Sequence, residues 1–142
     1  MRLLYMSVIS LLISCATAGN YSLKDQPVHG KIGGKNWIMK SGEAGLECMD
    51  NRMYSYYCKA ADDKKPSLSF HAPKKEGFYE IGPVCGASLS DNTKNISSIA
   101  SKGFVEILEI NRTKGFVKGK IYAYFDENNR VSGSFTVKLV HP

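Results

Sequence analysis

Val131-Ser132-Gly133-Ser134-Phe135-Thr136-Val137-Lys138-Leu139 is the stretch that decides the fold. Val131, Phe135, Val137 and Leu139, with Gly133 between them, alternate strictly with Ser132, Ser134, Thr136 and Lys138. A period of two puts every apolar group on one face of an extended chain, as in a half-buried antiparallel strand. Upstream, Asp126-Glu127-Asn128-Asn129 carries turn chemistry. Before that turn, the run Phe116 to Phe125 places Val117, Gly119, Ile121, Ala123 and Phe125 on one side, with Lys118 and Lys120 on the other. Phe104 to Ile110 reads as a further strand, and Asn111 to Gly115 as the turn that ends it.

The same reading extends toward the N-terminus. Lys31-Ile32 leads into Gly33-Gly34, a two-residue hairpin signal, and Lys35 to Lys40 then carries Trp37 and Met39 on one face. Arg52 to Lys59 holds Tyr54, Tyr56 and Tyr57, residues that favour a pleated surface. Pro66 to His71 alternates Leu68 and Phe70 with Ser67 and Ser69. Phe78 to Ile81 follows Gly77 and stops at Gly82-Pro83, while residues 86–101 are rich in Ser, Asn and Gly and read as a long loop. Beyond the first 18 residues no window has the period of an amphipathic helix. The expectation is an all-β domain over residues 28–142, an antiparallel β-sandwich or small closed barrel of roughly eight strands. Residues 19–27 are polar and without periodicity, and read as a tether.

Residues 1–18 have the order of a secretory signal peptide: cationic Met1-Arg2, an apolar run from Leu3 to Ile13, then the small residues Cys15-Ala16-Thr17-Ala18. The apolar run falls well short of the roughly 20 residues a lasting transmembrane helix needs. Ala16-Thr17-Ala18 before Gly19 suits signal peptidase. Leu12-Ile13-Ser14-Cys15 resembles the lipobox of bacterial lipoproteins, in which cleavage precedes the cysteine and a diacylglycerol is attached to it. That resemblance implies an exported chain held to a membrane through Cys15, at the outer membrane or in the periplasm of a bacterium. Sequons at Asn20, Asn95 and Asn111 keep a secreted eukaryotic glycoprotein as the alternative.

Removing residues 1–18, which hold one cation (Arg2) and no acid, lowers the net charge from +6 to +5. The cations are spread, with Lys64-Lys65 and Lys74-Lys75 the tightest pairs. Diffuse positive charge favours acidic surfaces such as anionic headgroups or polyanionic glycans, and otherwise serves solubility. An exported chain without a basic strip interleaved with aromatics is not expected to bind nucleic acid. Cys48, Cys58 and Cys85 are the disulfide candidates, with Cys48–Cys58 the first choice and Cys85 left as an alternative partner or as the odd thiol.

Gly30-Lys31-Ile32-Gly33-Gly34-Lys35-Asn36-Trp37, Gly77-Phe78-Tyr79, Val117-Lys118-Gly119-Lys120-Ile121 and Val131-Ser132-Gly133-Ser134-Phe135-Thr136-Val137 together resemble a group of uncharacterised bacterial lipoproteins. These have one all-β domain that opens with Gly-x-Ile-x-Gly-Lys and closes with a strand reading Val-x-Gly-x-Phe-x-Val. Many members end in a cysteine after that strand, where this chain has Val140-His141-Pro142. The resemblance implies location and fold and carries no activity.

His29, His71 and His141 stand apart in sequence, and no Gly-x-Ser-x-Gly elbow is present, so no enzyme is expected. Asp62-Asp63 and Asp126 to Asn129 lack the alternating ligand spacing of a calcium loop, and neither a metal nor another cofactor is expected. Trp37 and Tyr57 are expected to pack in the core, and Tyr54 and Tyr56 are the binding candidates. The resulting expectation is a non-enzymatic, lipid-anchored binding domain for a protein or glycan partner. The alternatives are a calycin-like carrier of a small ligand and an envelope inhibitor or immunity protein.

Overall fold

The computed structural model describes Leu23 and residues 25–47, 50–82, 85–91 and 96–140. Its strands are β1 (His29–Ile32), β2 (Lys35–Ile38), β3 (Ser41–Leu46), β4 (Met53–Lys59), β5 (Ser67–Pro73), β6 (Gly77–Glu80), β7 (Gly86–Asp91), β8 (Ile96–Ile99), β9 (Lys102–Asn111), β10 (Phe116–Asp126) and β11 (Asn129–Leu139). Among the described residues there is no helix. All the strands belong to one sheet in the order β6-β9-β10-β11-β3-β4-β5-β7-β8, with β1 paired to both β11 and β2.

The sheet curls into an open half-barrel, which corrects the expected sandwich or closed barrel. Closure needs each strand to have two full neighbours in a consistent stagger. β11 divides its length instead. Arg130, Val131 and Ser132 pair with β1, whereas Lys138 and Leu139 pair in parallel with Glu43 and Ala44 of β3. The sheet therefore branches at β11 and leaves β2, β6 and β8 as edges with one neighbour each.

The C-terminal meander follows the sequence pattern. In β11 the alternate residues Val131, Gly133, Phe135, Val137 and Leu139 are buried, and β10 buries Val117, Gly119, Ile121, Ala123 and Phe125 in the same way. Gly33 and Gly34 both have positive φ (60° and 74°), as a two-residue hairpin turn requires. Gly30 is needed for a different reason: a Cβ there would collide with the Arg130 carbonyl, so only glycine lets β1 lie so close to β11. Within the stretch read as a tether, Gln26 and Pro27 lie along β11, where the Gln26 carbonyl accepts the Ser134 N–H at 2.6 Å.

Three strands were not legible. Within the stretch read as a long loop, Gly86–Asp91 and Ile96–Ile99 pair as the antiparallel strands β7 and β8, with Ala87 and Leu89 buried against β5. β3 has two glycines and buries only Ala44 completely, so its strand character comes from pairing with β4 and β11.

The inner face holds the core. Tyr56 and Phe70 stack with centroids 4.5 Å apart, and Phe135 meets them at 5.6 and 5.3 Å, joining β4 and β5 to β11. Such ring pairs add roughly 0.5–1.5 kcal/mol each beyond the area they bury.

Candidate functional site

The aromatic strand β4 turns its faces opposite to expectation. Tyr54 and Tyr56, the binding candidates, are each 1% exposed, whereas Tyr57 is 40% exposed. Tyr54, Tyr56 and Cys58 share one side, and Ser55, Tyr57 and Lys59 share the other. The polar character of Ser55 and Lys59 was the signal that Tyr57 faces water. Trp37 is buried, and its Nε1–H donates to the Pro66 carbonyl at 2.8 Å.

The expected disulfide is not formed: Cys58 and Cys85 are buried free thiols. Cys58 pairs with Leu68, while Cys85 lies beyond the His71–Gly86 pair and donates its Sγ–H to the His71 carbonyl at 2.9 Å. Cys58 and Cys85 are separated by the intervening strand β5 and by an offset along it, whereas a bridge tolerates a Cα separation of only ~7 Å. Burial pushes both thiols up to about 12. Cys15, Cys48 and His141 lie outside the described residues.

The oxygen-rich turns are occupied by their own backbone. Asp62 Oδ1 accepts the Lys64 N–H at 3.0 Å, and Asp126 Oδ1 accepts from Asn128 N–H at 2.8 Å and from Asn129 Nδ2 at 2.9 Å. Among the described residues no three His, Cys, Asp or Glu side chains gather as a metal-binding set.

What register brings together is a pair of rows on the outer face, neither visible in sequence. Lys102 of β9 stands opposite Tyr124 of β10, which stands opposite Arg130 of β11, Lys31 of β1 and Asn36 of β2 in turn. Lys102, Arg130, Lys31 and Asn36 are exposed, and the row contains no acid. Lys102 Nζ sits 4.6 Å from the Tyr124 ring centroid. At about 4.8 Å per strand, the cations span roughly 14 Å from β9 to β1.

The neighbouring row runs Glu80, Phe104, Tyr122, Ser132, His29 and Ile38. Phe104 is only 4% exposed although it lies outside the main core, because Phe78 stacks on it at 4.8 Å and Tyr122 leans against it at 6.2 Å. A shallow depression of about 340 Å³ lies between the rows, bordered by His29, Lys31, Asn36, Tyr122, Arg130 and Ser132. Acids border the face rather than interrupt the charged row. Glu80 ends the aromatic row, and Glu106 stands one row further along between Phe78 and Lys120. Asp126 and Glu127 lie in the turn before Arg130, the Asp126 carboxylate taken up by Asn128 and Asn129.

No protein-family profile, curated protein sequence or solved structure matches this chain. The reading of the site therefore rests on its own chemistry. The first row offers fixed positive charge, the second an aromatic patch in which Phe78 covers Phe104 beside Tyr122, and the two lie side by side across the sheet. That combination suits a ligand that is anionic at intervals and apolar between them.

Proposed function

We propose that this protein is an exported, non-enzymatic binding domain that holds an acidic glycan across its outer face, and that a lipid on Cys15 keeps it at a bacterial envelope. The observation that carries the reading is the acid-free row Lys102–Tyr124–Arg130–Lys31. A guanidinium matches a carboxylate or sulfate with two parallel hydrogen bonds, while lysines contribute charge at a distance. Tyr124 and Tyr122 present rigid faces on which a sugar ring can lie. Support for anchoring is the Leu12-Ile13-Ser14-Cys15 segment directly after the apolar run. Two acyl chains would supply stable attachment at ~0.8 kcal/mol per buried CH₂.

The test is retention on immobilised heparin over a salt gradient, with neutral dextran as the uncharged comparison. Replacing Lys31, Lys102 and Arg130 together by alanine should weaken binding at least about tenfold, since a cation near a polyanionic surface contributes on the order of 1 kcal/mol. Replacing Lys59, Lys74 and Lys114 by alanine removes the same charge elsewhere and should leave most of the retention. Equal elution of the two triple variants would sink the proposal, because binding would then follow net charge alone. Intact mass from the native host, with a Cys15→Ala control, decides the anchor: acyl mass on a chain starting at Cys15 supports it, and an unmodified chain starting at Gly19 overturns it.

A further inference from the structure

We infer that the open end of the half-barrel is a second, independent site, which takes a small organic anion with an apolar body. It stands apart from the glycan face and does not depend on that reading. The gap exists because the sheet does not close: β2 is paired only to β1, and β8 only to β7. Between these edges lies a cleft of about 390 Å³, within the range of small-molecule sites, which run from roughly 300 to 1,000 Å³.

Its floor is apolar and rigid. Ile32, Trp37, Pro66 and Leu89 line it. The Trp37 Nε1–H bond to the Pro66 carbonyl ties β2 to the start of β5 across the opening. The β1–β2 turn is pinned as well, since Gly33 N–H donates to Asn129 Oδ1 at 2.7 Å and Gly34 N–H to the Asn128 carbonyl at 3.0 Å. The cleft is thus framed by hydrogen bonds between elements distant in sequence and is built before any ligand arrives.

Its rim is cationic. Lys35 comes from β2, and Lys64 and Lys65 come from the loop between β4 and β5. None of the three has a carboxylate within salt-bridge distance among the described residues. Two acids, Asp62 and Asp91, also line the cleft. Asp62 is turned into its own loop, its side chain taking the Lys64 N–H and its carbonyl the Lys65 N–H. Three ammonium groups against two carboxylates leave the rim net positive above an apolar floor, which selects a ligand with a buried hydrocarbon or aromatic body and an outward anionic head.

Trp37 is the only tryptophan in the chain and sits in the cleft floor, so it reports occupancy directly. The probe is 1-anilinonaphthalene-8-sulfonate, an aromatic sulfonate, titrated into the folded full-length mature chain. The neutral N-phenyl-1-naphthylamine serves as the matched uncharged body. Saturable binding at one probe per chain with loss of Trp37 emission is expected. Lys64→Ala/Lys65→Ala should weaken the sulfonate at least about tenfold while changing the neutral probe little. Ser98→Phe, which fills the cleft, should exclude both probes, and the triple alanine variant of Lys31, Lys102 and Arg130 should bind the sulfonate like the parent. Failure of the glycan reading would appear only on heparin, so the two proposals fail separately. An absence of Trp37 quenching, an unchanged sulfonate affinity in the lysine variant, or probe binding that only appears as urea unfolds the chain would each overturn the inference.

Discussion

The meander β9–β10–β11 and the arm β3–β4–β5–β7–β8 are built on different principles within one sheet. The meander has strands of 10, 11 and 11 residues joined by short turns, and its register is set by local hairpins. The strands of the arm are four to seven residues long. The arm meets the meander along a parallel seam of two residue pairs, Lys138–Glu43 and Leu139–Ala44, aided by the Val140 N–H bond to the Ala44 carbonyl at 2.7 Å. So short a ladder is weak by itself. The stack of Tyr56, Phe70 and Phe135 joins the two regions through the shared core. Regular hairpins place surface charges in straight rows, whereas a core-docked arm leaves a gap at its end; the two proposed sites follow from that difference.

The strongest way to break the comparison is Phe135→Ala. It removes the ring of the meander that holds the arm and should cost about 3–5 kcal/mol in urea unfolding. Hydrogen exchange should show amides of β4 and β5 losing protection before those of β10. Uniform loss across both regions would mean that they fold as a single unit with no weak seam.

Alkaline pH should act next, and it acts through the arm. Cys58 and Cys85 are raised from their ordinary value of 9.0 to about 12, and burial also raises Tyr56. The unfolded chain loses these protons first as pH rises, so the stabilisation is complete below about pH 9 and is lost toward about pH 12. Urea midpoints measured across that window should fall, and a Cys58→Ala/Cys85→Ala variant should show a shallower slope even if its stability at neutral pH is lower.

Trp37→Phe probes the bond that spans the open end. It leaves the Pro66 carbonyl without its donor and should cost roughly 1–2 kcal/mol. Calorimetric melting reads that loss, and an unchanged midpoint would mean the end is held by the Gly33 and Gly34 bonds alone. The smallest effect has the opposite sign. The Tyr56 hydroxyl is buried without a hydrogen-bond partner among the described residues, so Tyr56→Phe should stabilise by about 1 kcal/mol. Destabilisation on urea unfolding would show that the hydroxyl has a partner in solution, such as a buried water.

Legibility divides along the same line. The meander could be read because Val131 to Leu139 and Val117 to Phe125 alternate cleanly between turns of Asn, Asp and Gly. In the arm, β7 and β8 were lost among serines, and β3 among glycines, since neither segment has enough apolar side chains to mark a face. For β4 the alternation was visible but the inward side was misassigned, with Tyr57 expected inside and Tyr54 and Tyr56 kept as contacts. Cys58 lies on the same buried face as Tyr54 and Tyr56, and only the neighbours supplied by β3 and β5 decide that.

From the sequence alone came the all-β class, the hairpin at Gly33-Gly34 and the alternating faces of the last two strands, because side-chain period and turn preference are local properties of the chain. Tertiary structure decided the open half-barrel, the free thiols and both candidate sites. Lys31, Lys102, Tyr124 and Arg130 become neighbours only when β1, β9, β10 and β11 take up their register. Lys35 and Lys64 come to border one cleft because the sheet leaves β2 and β8 unjoined. Long-range register is a property of the whole sheet, and no local pattern encodes it.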